Sequence, residues 1–409
     1  MRVAGIIAEY DPFHAGHAWQ IGQLRQQGFD RIVICMSSWA VQRGGIPILP
    51  PLVRAQAALE AGADLVIALP APYACRSAEG FAAAGVGLLN ALGCVDTLAF
   101  GAETADKDAL LDTARLLLGQ PYAAALRQQL AGGTPYAAAR AAAAESIRPG
   151  AGALLAGPNN NLGVEYCKAI LAQRAALTPL PVPRRGAAHG QEGETGGFAS
   201  ASWIRRRIAL RGIEGARGLV PPAAFALYEQ AAAAGLLTSA RAFDLALLSR
   251  LRALTPEQLA RIRGVNEGLQ HRLADAVRTA PTARALYDTA KTRRYAHARL
   301  RRLALDAALD YREGALPGLP PYLHVLAARR PALELCGGAQ LPCGVSLARL
   351  MRRSEDCAAV GKAECAAADF ASLCRARPAG MGQALTQKPV ILEKPDSRFP
   401  AKDGFVNKM

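Results

Sequence analysis

None of the nine cysteines in the 409-residue sequence forms a Cys-x-x-Cys pair, and their irregular spacings build neither a disulfide framework nor a zinc motif. They read as reduced thiols in a cytoplasmic protein. No uncharged apolar stretch reaches the roughly 20 residues of a membrane helix. The nearest, around residues 61–74, carries Asp64 and two prolines. No charged segment followed by an apolar one opens the chain, as a secretory signal would. Residues 150–157 do not spell a dinucleotide fingerprint, and Gly361-Lys362 is no phosphate loop because Ala363 follows it. No repeat recurs at solenoid periods. Hydrophobic residues are 51% and charged residues 20%, which excludes a mainly disordered chain.

Acidic residues are scarce in one part only. Residues 1–150 hold 11 Lys and Arg against 12 Asp and Glu, whereas residues 151–409 hold 37 against 21. The net charge of +15 therefore belongs to the C-terminal part. A near-neutral module followed by a basic one suggests catalysis joined to nucleic-acid binding.

The first hundred residues alternate between two patterns. Val3–Ile7, Arg31–Met36, Asp64–Leu69 and Thr97–Phe100 are apolar runs, while His17–Gln27, Leu52–Ala61 and Ser77–Leu92 have helical spacing. Continuous apolar strands separated by helices predict a parallel sheet covered on both faces, an α/β fold. Its ligand belongs at the C-terminal strand ends. Ala-rich helices follow over residues 105–176. Leu177–Val182 reads as an edge strand because Pro179 and Pro181 cannot donate to a ladder. Residues 186–197 read as a Gly-rich loop, residues from 202 to about 309 as mostly helical, and Tyr322–Leu326 as a strand. The expected domains are 1–215, 216–316 and 317–409, the last a small mixed segment with a frayed tail.

The sharpest motif is Glu9-Tyr10-Asp11-Pro12-Phe13-His14-Ala15-Gly16-His17, directly after the first strand and opening the first helix. Two histidines three apart share one face at a helix N-terminus, and Gly16 lets a ligand approach closely. Unpaired amides and the helix dipole suit a phosphate, and imidazoles can donate to the charge that builds during attack on phosphorus. No Cys, His or carboxylate cluster with metal-ligand spacing accompanies them, so no metal site is expected.

His-x-Gly-His after the first strand resembles the HxGH nucleotidylyltransferase superfamily, which has a Rossmann-like parallel sheet. That superfamily's second signature, a Ser-rich turn ending in Ile-Arg, resembles Ser200-Ala201-Ser202-Trp203-Ile204-Arg205. The longer resemblance is to the bacterial tRNA-Met cytidine acetate ligase family. It is carried by Gly5–His17, Met36-Ser37, Val41–Gly44, Arg54, Gly62–Pro70, Ser77-Ala78, Phe100–Glu103, Asn159-Asn160 and Leu162–Tyr166. It continues through Arg184, Gly186-Ala187, Ser200–Arg205, Glu267–Leu269 and Lys291–Tyr295.

The resemblance implies a mostly helical domain after the sheet and an ATP-dependent ligase. Acetate would be activated as acetyl-adenylate, without acetyl-CoA, and transferred to N4 of the wobble cytidine of elongator tRNA-Met. ATP, with Mg2+, would be bound by Ile7, Ala8, Glu9, Tyr10, Asp11, Pro12, Phe13, His14, Ala15, Gly16, His17 and Gln20, with His14 and His17 catalytic. Gly101, Asn159, Asn160, Arg184, Arg185, Ser202 and Arg205 would complete that site. Gln42, Arg43 and Arg54 could face acetate, phosphates or the tRNA.

From Lys291 to Arg302, six of twelve residues are Lys or Arg. Lys291, Arg293, Arg294, Arg299, Arg301 and Arg302 are expected to form a cationic helical stripe for a tRNA backbone, with Tyr295 stacking on unpaired bases. The sequence departs from the family at Asp11, where the family has Asn, at Ser38, Trp39 and Ala40, and at Pro51-Leu52, where it has Lys-Trp. Two other readings stay open: a relative that adenylates another acid or serves another acceptor, and a tRNA-binding protein with impaired catalysis.

Overall fold

In a computed structural model, residues 1–184, 194–195, 198–266, 268–293 and 295–393 are described; Arg185, Glu267, Arg294 and all of the expected loop at 186–197 except 194–195 lie outside them. The chain begins with β1 (Val3–Ala8), α1 (Ala15–Gln26), β2 (Arg31–Ser37), α2 (Pro51–Glu60), β3 (Leu65–Leu69), α3 (Ala71–Ala74), α4 (Ala78–Ala91) and β4 (Thr97–Ala102). Helices α5 (Lys107–Leu118), α6 (Gln120–Ala131), α7 (Tyr136–Glu145), α8 (Ala151–Ala156) and α9 (Pro158–Gln173) lead to β5 (Thr178–Pro183). A short hairpin, β6 (Glu194–Thr195) and β7 (Phe198–Ala199), precedes α10 (Ala201–Arg211).

Helices start where the sequence supplies caps. Ser77 accepts from the Gly80 amide to cap α4, Ser200 accepts from the Trp203 amide to cap α10, and Pro51 opens α2, where its missing N–H costs nothing. Each Ser cap is worth about 1 kcal/mol.

The sheet order is β10-β8-β3-β2-β1-β4-β5. Strands β3, β2, β1, β4 and β5 are mutually parallel, with Ile7 opposite Cys35 and Ala8 opposite Met36. Alternate residues face opposite layers. Val3, Ile7, Val33, Cys35, Leu65 and Ile67 join one core, and Ala4, Ile6, Ile32, Ile34 and Met36 join the other. β5 is the edge strand that its prolines require.

Helices α11 (Pro222–Ala233), α12 (Ala240–Arg252), α13 (Pro256–Ala260), α14 (Leu269–Thr279), α15 (Ala283–Ala290) and α16 (His297–Ala308) form the helical region. The chain ends with β8 (Leu323–Arg329), β9 (Cys343–Gly344), α17 (Leu347–Leu350), α18 (Glu355–Leu373), α19 (Gln383–Thr386) and β10 (Val390–Leu392). Strand β8 is buried throughout and pairs antiparallel with β3, so the sheet is mainly rather than wholly parallel. It covers the edge that β3 would expose. The sheet therefore takes strands from before residue 215 and after residue 316. No helix among the described residues is long and apolar enough to cross a membrane.

The cationic stripe is not one helical face. α15 ends before Lys291 and α16 begins only at His297, because the Thr292 hydroxyl accepts from the Tyr295 amide (3.1 Å) and closes a turn between them. Tyr295 is 6% exposed under the Arg299 guanidinium, so its ring is not available for stacking on a base. Lys291, Arg293 and Arg301 are exposed, whereas Arg299 donates to Asn266 (2.8 Å) and Arg302 is half-buried.

Candidate active site

The sheet ends open into a cavity of about 410 Å3. Its floor is Ile6–Ala8 of β1 with Phe100 and Gly101 of β4, at the C-terminal strand ends as expected. α1 supplies His14, Gly16, His17, Trp19 and Gln20; α9 supplies Asn159, Asn161, Leu162 and Tyr166; and Phe198–Ala201 with Arg205 close a third side. Gln42 and Arg43, from the loop after β2, complete it.

The two histidines hold each other. His14 is the N-cap of α1: its Nδ1 accepts from the Gly16 amide (3.1 Å), while its own amide donates to His17 Nδ1 (3.3 Å). The rings stack with centroids 3.7 Å apart. A Cβ on Gly16 would stand 3.0 Å from the His14 ring, so glycine makes this close approach possible. Burial, then the Arg184 and Arg205 charges, push His14 down to about 3. Burial, then His14 and Arg184, hold His17 well below its ordinary value. Both imidazoles are thus neutral, and with each Nδ1 accepting, each proton sits on Nε2.

This changes one expectation. The first-turn amides of α1 are not free: Ala15 N–H donates to Leu219, Gly16 N–H to His14 Nδ1, and His17 N–H to the His14 carbonyl. The donors left for a phosphate are imidazole Nε2–H groups. At α9, the Glu103 carboxylate accepts from the Asn159 and Asn160 amides (3.1 and 2.7 Å). At α10 the first amides, of Ala201 and Ser202, make no hydrogen bond to described residues.

The loop between β1 and α1 is held from several sides. Arg54, fully buried, donates to the carbonyls of Leu49 (2.9 Å), Glu9 (2.7 Å), Ser37 (2.8 Å) and Ser38. It therefore holds backbone and faces no ligand. Tyr228 of α11 donates to the Phe13 carbonyl (2.8 Å). Tyr10 takes φ +49°, a left-handed conformation costing about 1–2 kcal/mol outside glycine. Asp11 accepts from the Ile48 amide (2.7 Å), and its other oxygen lies 3.3 Å from Arg205, which also donates to the Asp11 carbonyl. Arg205 thus neutralises the charge that this departure brings to the site.

Of the expected site residues, Ile7, Ala8, Glu9, Tyr10, Asp11, His14, Gly16, His17, Gln20, Gly101, Asn159, Arg184 and Arg205 line the cavity. Pro12, Phe13, Ala15, Asn160 and Ser202 do not. The Asn160 side chain bonds the Thr104 amide (3.0 Å) and hydroxyl (3.2 Å) and is 3% exposed, which makes it a clamp on the β4 loop. Ser202 meets the Ser200 hydroxyl at 3.0 Å. Arg184 reaches Asn159 Oδ1 (2.6 Å). Ser38, Trp39, Ala40 and Pro51 are buried outside the cavity, so those departures do not line it. Sequence reasoning missed Phe81, Leu162, Tyr166 and Phe198 as lining residues. Leu162 and Tyr166, four apart on α9, carried a usable signal of one shared face.

A parallel sheet whose strand ends present stacked HxGH histidines beside a Ser-capped Arg helix defines a nucleotidyl transferase, and the family profile described as HIGH Nucleotidyl Transferase matches residues 1–356. The chain is 32% identical over 417 aligned positions to the tRNA(Met) cytidine acetate ligase of Acetivibrio thermocellus, covering 96% of this chain and all of that one. It is 34% identical to the enzyme so named from Syntrophotalea carbinolica, covering 86% of each. It therefore belongs to the tRNA(Met) cytidine acetate ligase family. The crystal structure of apo Thermotoga maritima TmcAL superposes with a TM-score of 0.90 at 26% identity, covering 96% of this chain and all of that one. The structure of the same protein with alpha-thio ATP gives 0.87 at 25%, with the same coverage.

Proposed function

We propose that this chain activates acetate with ATP and acetylates N4 of the wobble cytidine of elongator tRNA-Met. The observation that carries the reading is the pair of neutral, Nε2-protonated histidines facing a cavity that Arg43, Arg184 and Arg205 also line. Acetate oxygen attacks the α-phosphorus and pyrophosphate leaves. His14 and His17 donate to the charge that grows on the phosphate oxygens, with no reorganisation needed at that moment. Arg205 and the free α10 amides suit the polyphosphate, and Gly101 with Leu162 and Tyr166 suits adenosine. Mg2+ would enter with the triphosphate and would offset part of its charge. The cytidine amine then attacks the acyl carbon and AMP leaves, so no acetyl-CoA is needed.

In this reading residues 1–215 carry the nucleotide chemistry, residues 216–316 bind the tRNA backbone through Lys291, Arg293 and Arg301, and residues 317–409 complete the sheet. Arg185 and Arg294, which the family resemblance assigns to ATP and to tRNA, lie outside the described residues. A reaction that uses ATP and tRNA supports a cytoplasmic location. The test is pyrophosphate exchange with acetate and a panel of other small carboxylates, followed by nucleoside analysis of tRNA-Met. The expected outcome is acetate-dependent exchange and acetylcytidine. Exchange with another acid but not acetate, or a tRNA without acetylcytidine, would overturn it.

A further inference from the structure

Acetyl transfer releases a proton, and the histidines are poorly placed to take it. Their Nδ1 atoms are occupied and their Nε2 atoms are already protonated. Burial holds the cavity-lining Tyr10 and Tyr166 hydroxyls above their ordinary range, and the Asp11 carboxylate is committed to Ile48 and Arg205. One group remains. Glu9, at the end of β1, is half-buried and lines the cavity, with one oxygen accepting from the Gln42 amide (2.5 Å) and the other without a partner among the described residues.

The position of Glu9 adds direction. Gln42 belongs to the loop closed by the Val41–Gly45 bridge, and that loop seats on α16. Gly44 sits at φ +77°, and a Cβ there would run into the backbone of Arg301 and Arg302. Arg43, one residue from Gln42, lines the same cavity and feels both Glu9 and Arg301. Glu9 therefore lies on the side of the cavity nearest the basic surface, where an acceptor held by that surface would enter.

We propose that the Glu9 carboxylate is the catalytic base of the transfer step, accepting the proton that the acceptor's N4 amine releases. This rests on the function proposed above. The amine lone pair forms the bond to the acyl carbon, the bond from that carbon to the AMP oxygen breaks, AMP leaves with the electron pair, and the proton passes from N4 to the free Glu9 oxygen. Burial, with Asp11 adding, raises the Glu9 carboxyl above its ordinary range, against the Gln42 hydrogen bond and the charges of Arg205 and Arg43. Arg54, Tyr166 and Cys75 also face it electrostatically. A base so raised takes a proton more readily, provided it is ionised at the working pH.

The experiment uses full-length wild type, Glu9→Gln and Glu9→Asp with ATP, acetate and tRNA-Met. It compares acetate-dependent pyrophosphate exchange with single-turnover acetyl transfer across pH. Glu9→Gln should slow transfer at least about 100-fold more than exchange, as loss of a general base does. Wild-type transfer should fall as pH drops through the raised Glu9 value, Glu9→Gln should lose that limb, and Glu9→Asp should recover part of the rate. Equal losses in exchange and transfer, or a wild-type pH limb that survives in Glu9→Gln, would overturn the proposal. Absence of acetate-dependent exchange in wild type would refute the parent reading instead and take the base with it.

Discussion

Replacing Arg54 by Met separates a residue that builds the site from one that binds a ligand. Arg54 is 0% exposed and donates to four carbonyls in three segments: Glu9 after β1, Ser37 and Ser38 at the end of β2, and Leu49 before α2. Each hydrogen bond to a charged donor is worth about 1.5–3 kcal/mol, and an abandoned buried carbonyl costs about 1–3 kcal/mol. Water can reach some of these carbonyls once the side chain shrinks, so the sum is not fully realised. A net loss of about 3–5 kcal/mol follows if two or three of the four carbonyls stay unsatisfied. At about 2–4 °C per kcal/mol, the melting temperature should fall by about 6–20 °C. Arg54→Lys, which keeps the charge but not the fork, should fall between Met and wild type. Thermal melting with and without ATP reads this directly. A Met variant that melts within about 1 °C of wild type yet no longer binds ATP would refute the clamp and return Arg54 to a ligand-facing role.

Three further outcomes are expected. His14→Ala removes a cap and a phosphate donor and should slow acetate-dependent exchange by about 100- to 1,000-fold while tRNA affinity stays within twofold; lost tRNA binding would mean the site is wrongly assigned. Arg301→Ala should weaken tRNA binding and reduce the slope of log affinity against log salt by about 1, whereas an unchanged slope would remove Arg301 from the backbone contact. Because His14 is held at about 3 in the fold, far below its unfolded value, the unfolded state takes up a proton first as pH falls. Its stabilisation is complete above about pH 6.5 and is lost on the way down toward 3, so melting should drop between pH 7 and 5 less steeply in His14→Gln than in wild type; identical slopes would count against a buried neutral His14.

Some of the site was readable from residue order alone. The four N-terminal strands are uninterrupted apolar runs, and their order of alternation with helices already located the ligand at the strand ends. The family resemblance supplied the residue-by-residue expectation, and thirteen of those residues line the cavity. The misreadings share a cause. What Asn160, Arg54 and Tyr295 do depends on what the fold sets opposite them: the Thr104 loop, four backbone carbonyls, and the Arg299 side chain. The free amides expected at α1 were lost for the same reason, since His14 folds back and occupies one itself.

The sequence determined the local chemistry: strand runs, the HxGH block, the Ser-rich turn and the position of the excess positive charge. These depend on side chains a few residues apart, which chain connectivity already holds together. Tertiary structure decided the rest. Antiparallel β8, brought from 258 positions further along the chain than β3, closes the sheet edge because an unpaired buried strand would leave its amides and carbonyls unsatisfied. The seating of Gly44 on α16 brings the basic surface to the rim of the cavity. That contact joins residues more than 250 positions apart, a separation over which no periodicity or spacing in the chain carries information, and it gives Glu9 a place beside an entering acceptor.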